Sequence, residues 1–132
     1  MSENVCISVL VPFYNSEKHI ENCLQCLLKQ DLSKPIEIIL IDDASTDKGL
    51  NIIKKYNLSK IKLFNLKKNS GPATARNLGL NNAKGDFIFF LDVDDKIETN
   101  TLSLLYYSAI EKNYDLTICD SKWIENSENQ RR

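Results

Sequence analysis

No apolar run in this sequence approaches the ~20 residues a helix needs to cross a bilayer. Neither sign of charge dominates: 17 Lys and Arg stand against 18 Asp and Glu, a formal net charge of −1. Nothing therefore draws the chain as a whole to nucleic acid or to an anionic membrane. The pairs Lys54-Lys55, Lys67-Lys68 and Arg131-Arg132 are too short and scattered to form a basic patch, and they read as solvated surface. The opening Met-Ser-Glu-Asn lacks the positive region of a secretory signal, so a cytoplasmic protein is expected. Internal repeats and low-complexity segments are absent as well. Cysteine is present four times without making a disulfide framework. Cys6 and Cys119 fall in apolar runs that suit buried strands, where the thiol behaves as a small hydrophobe. Cys23-Leu-Gln-Cys26 has the spacing of a zinc or redox motif, but it lies in an amphipathic helical pattern with no second Cys or His pair nearby. Core filling is the favoured reading.

What is present is a regular alternation. At 132 residues the chain is one domain, large enough for a real core. Ile7-Ser-Val-Leu-Val-Pro12 is a β-branched run closed by a proline. Ser16 is placed to cap the helix that follows, with His19 at the capping-box position and Ile20, Cys23, Leu24, Leu27 and Leu28 on one face. Ile36 to Ile41 forms a second strand, and a helix is expected from Asp47 to Tyr56. Ile61 to Leu66 is a third strand, expected near the sheet edge. Pro72 opens a helix that runs to Ala83, with Gly85 expected at C′. Asp86-Phe-Ile-Phe-Phe-Leu91 suits a central strand buried on both faces. Thr99 or Asn100 then caps a helix with Leu102, Leu105, Tyr106, Ala109 and Ile110 inward, and Asp115 to Asp120 reads as a fifth strand. Alternating strands and helices with such connections imply right-handed crossovers and a mainly parallel sheet, an α/β three-layer domain of the Rossmann-like kind. Residues 1–122 make that domain, and 123–132 form a polar tail.

Chemistry collects at the strand ends. Asp92, Asp94 and Asp95 follow the most apolar strand, where carboxylates remain reachable by water or a cation and would be costly in mid-strand. Asp92 and Asp94 are spaced i, i+2, so they project to one side if the strand persists. Close carboxylates of this kind suit Mg²⁺ or Mn²⁺ shared with a phosphate, or else a solvated turn. Asp43, at the end of the second strand, can accept from a base edge or a ribose, whereas Asp47 suits a helix start. Arg76, one turn into its helix, can reach a base or phosphate, and Tyr14 beside Asn15 can stack on a base ring. Alone, Arg76 reads equally as surface and Tyr14 as a cover for the core.

Val9-Leu-Val-Pro-Phe-Tyr-Asn15, Ile41-Asp-Asp-Ala-Ser-Thr-Asp47, Asn69-Ser-Gly71 with Ala75-Arg-Asn-Leu-Gly79, and Phe90-Leu-Asp-Val-Asp-Asp95 together resemble the successive motifs of the family 2 glycosyltransferases. Order and spacing agree over about residues 5 to 122. The resemblance implies an A-type glycosyltransferase fold and a metal-dependent, inverting transfer from a nucleotide-diphosphate sugar, commonly a UDP-sugar, to a hydroxyl acceptor. It implies that Asp43 binds uracil, that Pro12, Tyr14 and Arg76 line the base pocket, and that Asp92 and Asp94 form an Asp-x-Asp element. Asp92 would face the ribose and Asp94 would hold Mn²⁺ or Mg²⁺. Position 44 is Ala where the family usually carries Gly or Asn.

Members of the family are longer than this chain. Their second half supplies the acceptor pocket and an aspartate base, for which no residue after Asp120 is a candidate, so no catalytic residue is assigned here. A later strand of the family inserts beside the fourth, which would leave an open edge that a second copy could cover. The partners implied are the nucleotide-sugar and, for the full-length protein, an acceptor saccharide or lipid-linked glycan in polysaccharide biosynthesis. Nucleic acid is not among them. The setting is cytoplasmic, compatible with peripheral attachment at the inner membrane face. The chain by itself is expected to bind donor and transfer poorly, and a non-catalytic nucleotide-binding or assembly module is the alternative. Receiver and dehalogenase domains also place aspartates at strand ends. A receiver needs its acceptor after strand three and a lysine after strand five, where this chain has Leu66 and Ser121. A dehalogenase needs its Asp pair after strand one, where Pro12 and Asn15 stand.

Overall fold

A computed structural model describes residues 4–56 and 59–122. The apolar runs become β1 (Ile7–Phe13), β2 (Ile36–Asp42), β3 (Ile61–Asn65) and β4 (Phe87–Phe90). Between and after them lie α1 (Ile20–Leu28), α2 (Gly49–Ile53), α3 (Pro72–Asn82) and α4 (Thr101–Lys112). The strands pair in parallel in the order β3-β2-β1-β4, so the α/β expectation holds and β3 lies at an edge.

Alternation along the strands builds two faces. Val9, Val11 and Phe13 of β1 and Ile38 and Leu40 of β2 turn to one side, under Ile20, Cys23, Leu24 and Leu27 of α1, Ile53 of α2 and Leu102 of α4. Leu10, Ile39 and Ile41 turn to the other, under Ala75 of α3. Each aliphatic side chain buried this fully contributes ~1.5–3 kcal/mol over an exposed one, so β1 and β2 are the mechanical centre of the domain.

At the amino ends of the strands, a buried carboxylate ties the sheet together. Glu37 Oε1 accepts from Ser8 Oγ at 2.6 Å and from the Lys84 amide at 2.7 Å, while Oε2 accepts from Lys62 Nζ at 2.7 Å. Burial alone would raise its pKa, but the hydrogen bonds from Lys62, Ser8 and Lys84 outweigh burial and hold it below the ordinary carboxylate value. The Gly85 amide donates to Ser8 Oγ at 2.8 Å, and a Cβ at Gly85 would lie 2.5 Å from the Ser8 nitrogen. Gly85 is thus required by close approach to β1. It does not cap α3, which ends at Ala83 in an extended conformation.

Several expectations need correction. β4 is an edge strand among the described residues, and only one of its faces is covered: Phe87 and Phe89 pack into the core, but Ile88 is 36% and Phe90 50% exposed. The cause is that α3 packs against β1 and β2 and not over β4. Residues 115–120 form no strand, because no described neighbour offers them a ladder; Leu116 and Ile118 are 79% and 84% exposed, and Cys119 is exposed with them. Ile110 and Leu28 also face outward. The second helix shrinks to Gly49–Ile53, since the Lys55 and Tyr56 amides bond three residues back in a tightened last turn. Ser16 accepts the His19 and Ile20 amides through its carbonyl, and its hydroxyl turns back to the Tyr14 carbonyl, so its side chain does not cap α1. Asn100 occupies the N-cap of α4 without a side-chain bond. Residues 123–132 lie outside the described part of the chain.

Candidate functional site

Parallel pairing brings the loops after β1, β2 and β4 to one edge of the sheet. The first two loops are clasped. Asn15, in the left-handed region at φ 48°, accepts through Oδ1 from the Thr46 amide at 2.7 Å and the Asp47 amide at 3.3 Å. Its own amide donates to Ser45 Oγ at 2.9 Å. Asp47 accepts from the Glu17 amide at 2.9 Å and, as expected of an acid at a helix start, from the Gly49 amide at 3.0 Å. Glu17 returns the contact by accepting from the Lys48 amide at 3.1 Å. The only cue to this clasp in the sequence was an asparagine in a loop, the non-glycine residue that best tolerates left-handed backbone.

The β2 loop turns tightly. Asp42 Oδ1 accepts from the Ser45 amide at 2.9 Å, closing a turn over Ala44, whose φ is 64°. That conformation costs a residue with a Cβ ~1–2 kcal/mol, which explains why Gly or Asn suits the position. The neighbouring Asp43 is buried, and it holds the start of α3: Oδ1 accepts from the Ser70 amide at 2.7 Å and Oδ2 from the Gly71 amide at 2.9 Å. Gly71 has φ 91° and ψ 163°, a conformation essentially reserved for glycine. Pro72 follows at the first helical position.

One turn into α3, Arg76 donates from Nη2 to Asp92 Oδ1 at 2.8 Å. Asp92 belongs to the turn after β4, where the pairing with β1 continues for one bond, from the Leu91 amide to the Leu10 carbonyl at 3.1 Å. The chain then bends, with the Asp95 amide donating to the Asp92 carbonyl at 3.0 Å. Asp92 and Asp94 therefore meet through a turn and not through the pleat of a continuing strand. Pro12, Tyr14, Asp43, Arg76, Asp92 and Asp94 all line one cleft of about 350 Å³. Every residue expected to bind donor or metal is in it. His19 and Val93 line it too, and the sequence reading had given neither a role there.

Asp95 stands outside that lining. Burial first, then the negative charges of Asp94 and Asp92, raise its pKa. Among the described residues no three Asp, Glu, His or Cys side chains are grouped to hold a metal unaided. Two carboxylates at the mouth of a cleft do fit a hard cation that completes its shell with substrate phosphates and water. The Cys23 thiol is pushed up to about 12 by burial and by Cys26 and Asp95, as suits an inert core cysteine. A second hollow of about 480 Å³ lies between Asp31, Ser33 and α4 and contains none of the expected residues.

Residues 8–132 match the family model of glycosyl transferase family 2. The chain belongs to that family. It is 47% identical over 98 residues to poly(ribitol-phosphate) β-N-acetylglucosaminyltransferase TarS of Staphylococcus aureus strain Mu50, a match covering 72% of this chain and 17% of TarS. TarS residues 1–349, solved in complex with UDP-GlcNAc, superpose with a TM-score of 0.80 and 37% identity over 93% of this chain and 38% of that one. The mannosyltransferase PcManGT from Pyrobaculum calidifontis, solved with GDP-Man and Mn²⁺, gives 0.68 and 26% over 78% of this chain and 31% of that one. The A-type fold implied by the motifs is thus the fold of this glycosyltransferase chain, which spans less than two fifths of each of these relatives.

Proposed function

We propose that this chain is the donor-binding portion of a glycosyltransferase that moves a sugar from a UDP-sugar to a hydroxyl acceptor with inversion. One observation carries the reading: Pro12, Tyr14, Asp43, Arg76, Asp92 and Asp94, scattered over the sequence, line a single cleft at the carboxyl ends of the strands. The similarity to TarS, solved with UDP-GlcNAc, supports UDP as the nucleotide. Exposed Tyr14 stacks on the uracil, with Pro12 and Arg76 completing the base pocket. Each Asp43 oxygen accepts one backbone amide and keeps a second lone pair for the N–H of the uracil ring. Asp92, braced by Arg76, faces the ribose. Asp94, with Asp92, holds Mn²⁺ or Mg²⁺ beside the diphosphate. Such a cation supplies charge neutralisation for the departing UDP, and the similarity to PcManGT, solved with Mn²⁺, supports its presence.

The acceptor oxygen forms its bond to the anomeric carbon on the face opposite the β-phosphate oxygen, whose bond to that carbon breaks with the electron pair leaving on UDP. A single displacement of this kind inverts the centre. No residue of this chain is assigned as the base that takes the acceptor proton. A saccharide or lipid-linked glycan acceptor, a cytoplasmic setting with peripheral contact at the inner membrane face, and a second copy over the open edge of β4 complete the reading. Residues 1–122 serve as the nucleotide-sugar domain and 123–132 as its tail.

Calorimetric titration of UDP and UDP-sugars in Mn²⁺ tests this on the wild type and Asp94→Ala. Loss of one ligand carboxylate is expected to weaken UDP about tenfold or more, and equal affinity in both proteins removes the metal–diphosphate contact. A second reading, a nucleotide-binding module without turnover, is favoured by the cleft lining, whose carboxylates among the described residues are Asp43, Asp92 and Asp94, the three that the donor reading uses for binding. Release of UDP from UDP-sugar with an acceptor present distinguishes the two.

A further inference from the structure

The only histidine in the chain lines the cleft, and the donor-site assignment leaves it without a task. Its position follows from how residues 92–99 run beside α1. Near the far end of the helix, the Asp31 amide donates to the Thr99 carbonyl at 2.9 Å, and Gln30 Nε2 donates to the Glu98 carbonyl at 2.8 Å. Farther back, the thiol of Cys23 is raised in part by the charge of Asp95, and Val93 packs against the core cluster that contains Ile20 and Cys23. The two segments keep step, so the residue one turn before Cys23 lies at the Val93–Asp94 end of the turn. That residue is His19, whose carbonyl accepts the Cys23 amide at 3.0 Å. The same cleft is lined from the α3 side by Asp43, Pro72 and Arg76, the last of which pairs with Asp92.

We propose that His19 is a donor-binding residue at the diphosphate end of the cleft, where its imidazole N–H donates to a phosphate oxygen of the bound nucleotide. This rests on the nucleotide-sugar reading above. The chemistry suits the place. A neutral imidazole always presents one N–H, and an exposed side chain at the N-cap of α1 needs no backbone change to present it. Acids crowd this side of the cleft, and Arg76, the one Lys or Arg side chain lining it among the described residues, is already engaged with Asp92.

The test separates the two ends of the ligand. UDP with Mn²⁺, and uridine alone, are titrated into the wild type, His19→Ala and His19→Gln. Expected is about a tenfold loss of UDP affinity in His19→Ala, the size of one hydrogen bond to a charged group. Uridine affinity should stay unchanged, and His19→Gln, which keeps an N–H donor, should recover most of the UDP loss. Unchanged UDP affinity in His19→Ala overturns the assignment while leaving the donor site intact. Equal losses for UDP and uridine overturn it too, by showing a structural effect on the whole cleft. Failure of the wild type to bind UDP at all overturns the donor-site reading itself.

Discussion

The two flanks of the sheet are finished to different standards. On the β2–β3 flank, β2 is buried on both faces, the loop carboxylates are satisfied by backbone amides, and Glu37 accepts three hydrogen bonds. On the β4 flank, half the strand's side chains face outward, and Leu104, Ile110, Leu116 and Ile118 are exposed beyond it. Yet the cleft is made from both. Asp43 reaches it from the closed flank and Asp92 and Asp94 from the open one, and the Arg76–Asp92 pair links α3 to the β4 turn. That pair is partly exposed on both sides, and surface pairs of this kind contribute ~0–1 kcal/mol, so it positions more than it stabilises.

The contrast makes substitutions on the closed flank costly and those on the open flank nearly free. The largest effect is expected for Asp43→Ala, which strands two amides at the start of α3: a loss of about 3 kcal/mol in urea unfolding, with UDP binding abolished. Glu37→Gln should cost about 1–2 kcal/mol at neutral pH and should flatten the acid limb of stability. The sign follows from the lowered pKa of Glu37 in the folded chain. Its contribution is complete above the unfolded value of ~4.3 and is lost as pH falls through the lower folded value. Denaturant midpoints measured from pH 7 downward should therefore drop in the wild type more steeply than in Glu37→Gln. Ala44→Gly should stabilise by about 1 kcal/mol, because the left-handed turn penalty disappears, read as a higher urea midpoint at constant slope. The smallest effect belongs to Phe90→Lys. A change within ~0.5 kcal/mol is expected for an exposed position, with improved solubility by light scattering. A loss comparable to that of Asp43→Ala would show that the Phe90 face of β4 is covered in solution and would end the comparison.

The closed flank was also the legible one. Strands rich in Ile, Val and Leu announce themselves by composition, and Pro72 and the small residues of α3 mark a helix start and a close-packed helix. The site residues were legible because acids at the end of an apolar strand have few places to go. What stayed hidden is tertiary. Nothing near Asp43 in the sequence says that its oxygens serve Ser70 and Gly71, and an Asn in a loop does not name Thr46 as its partner. Asp86 to Leu91 looks doubly buried because apolar content reports a preference for burial, whereas burial itself depends on whether a helix arrives. Asp115 to Asp120 has the composition of a strand and lacks only a neighbour, which no local pattern can supply.

The order β3-β2-β1-β4 has a consequence for how the molecule comes together in time. β1 meets β2 across one short helix, but its other side waits for Phe87 and its neighbours, which pair with Ile7 onward. Contacts so distant in sequence are reached only after a long loop closes, which makes them late and slow to form. The wall bearing Tyr14 and Asp43 can be standing while the segment bearing Asp92 and Asp94 is still searching for β1. Assembly of the cleft then runs from the β2 side to the β4 side, and in a chain caught midway the Asp43 wall stands without the acids of the β4 turn.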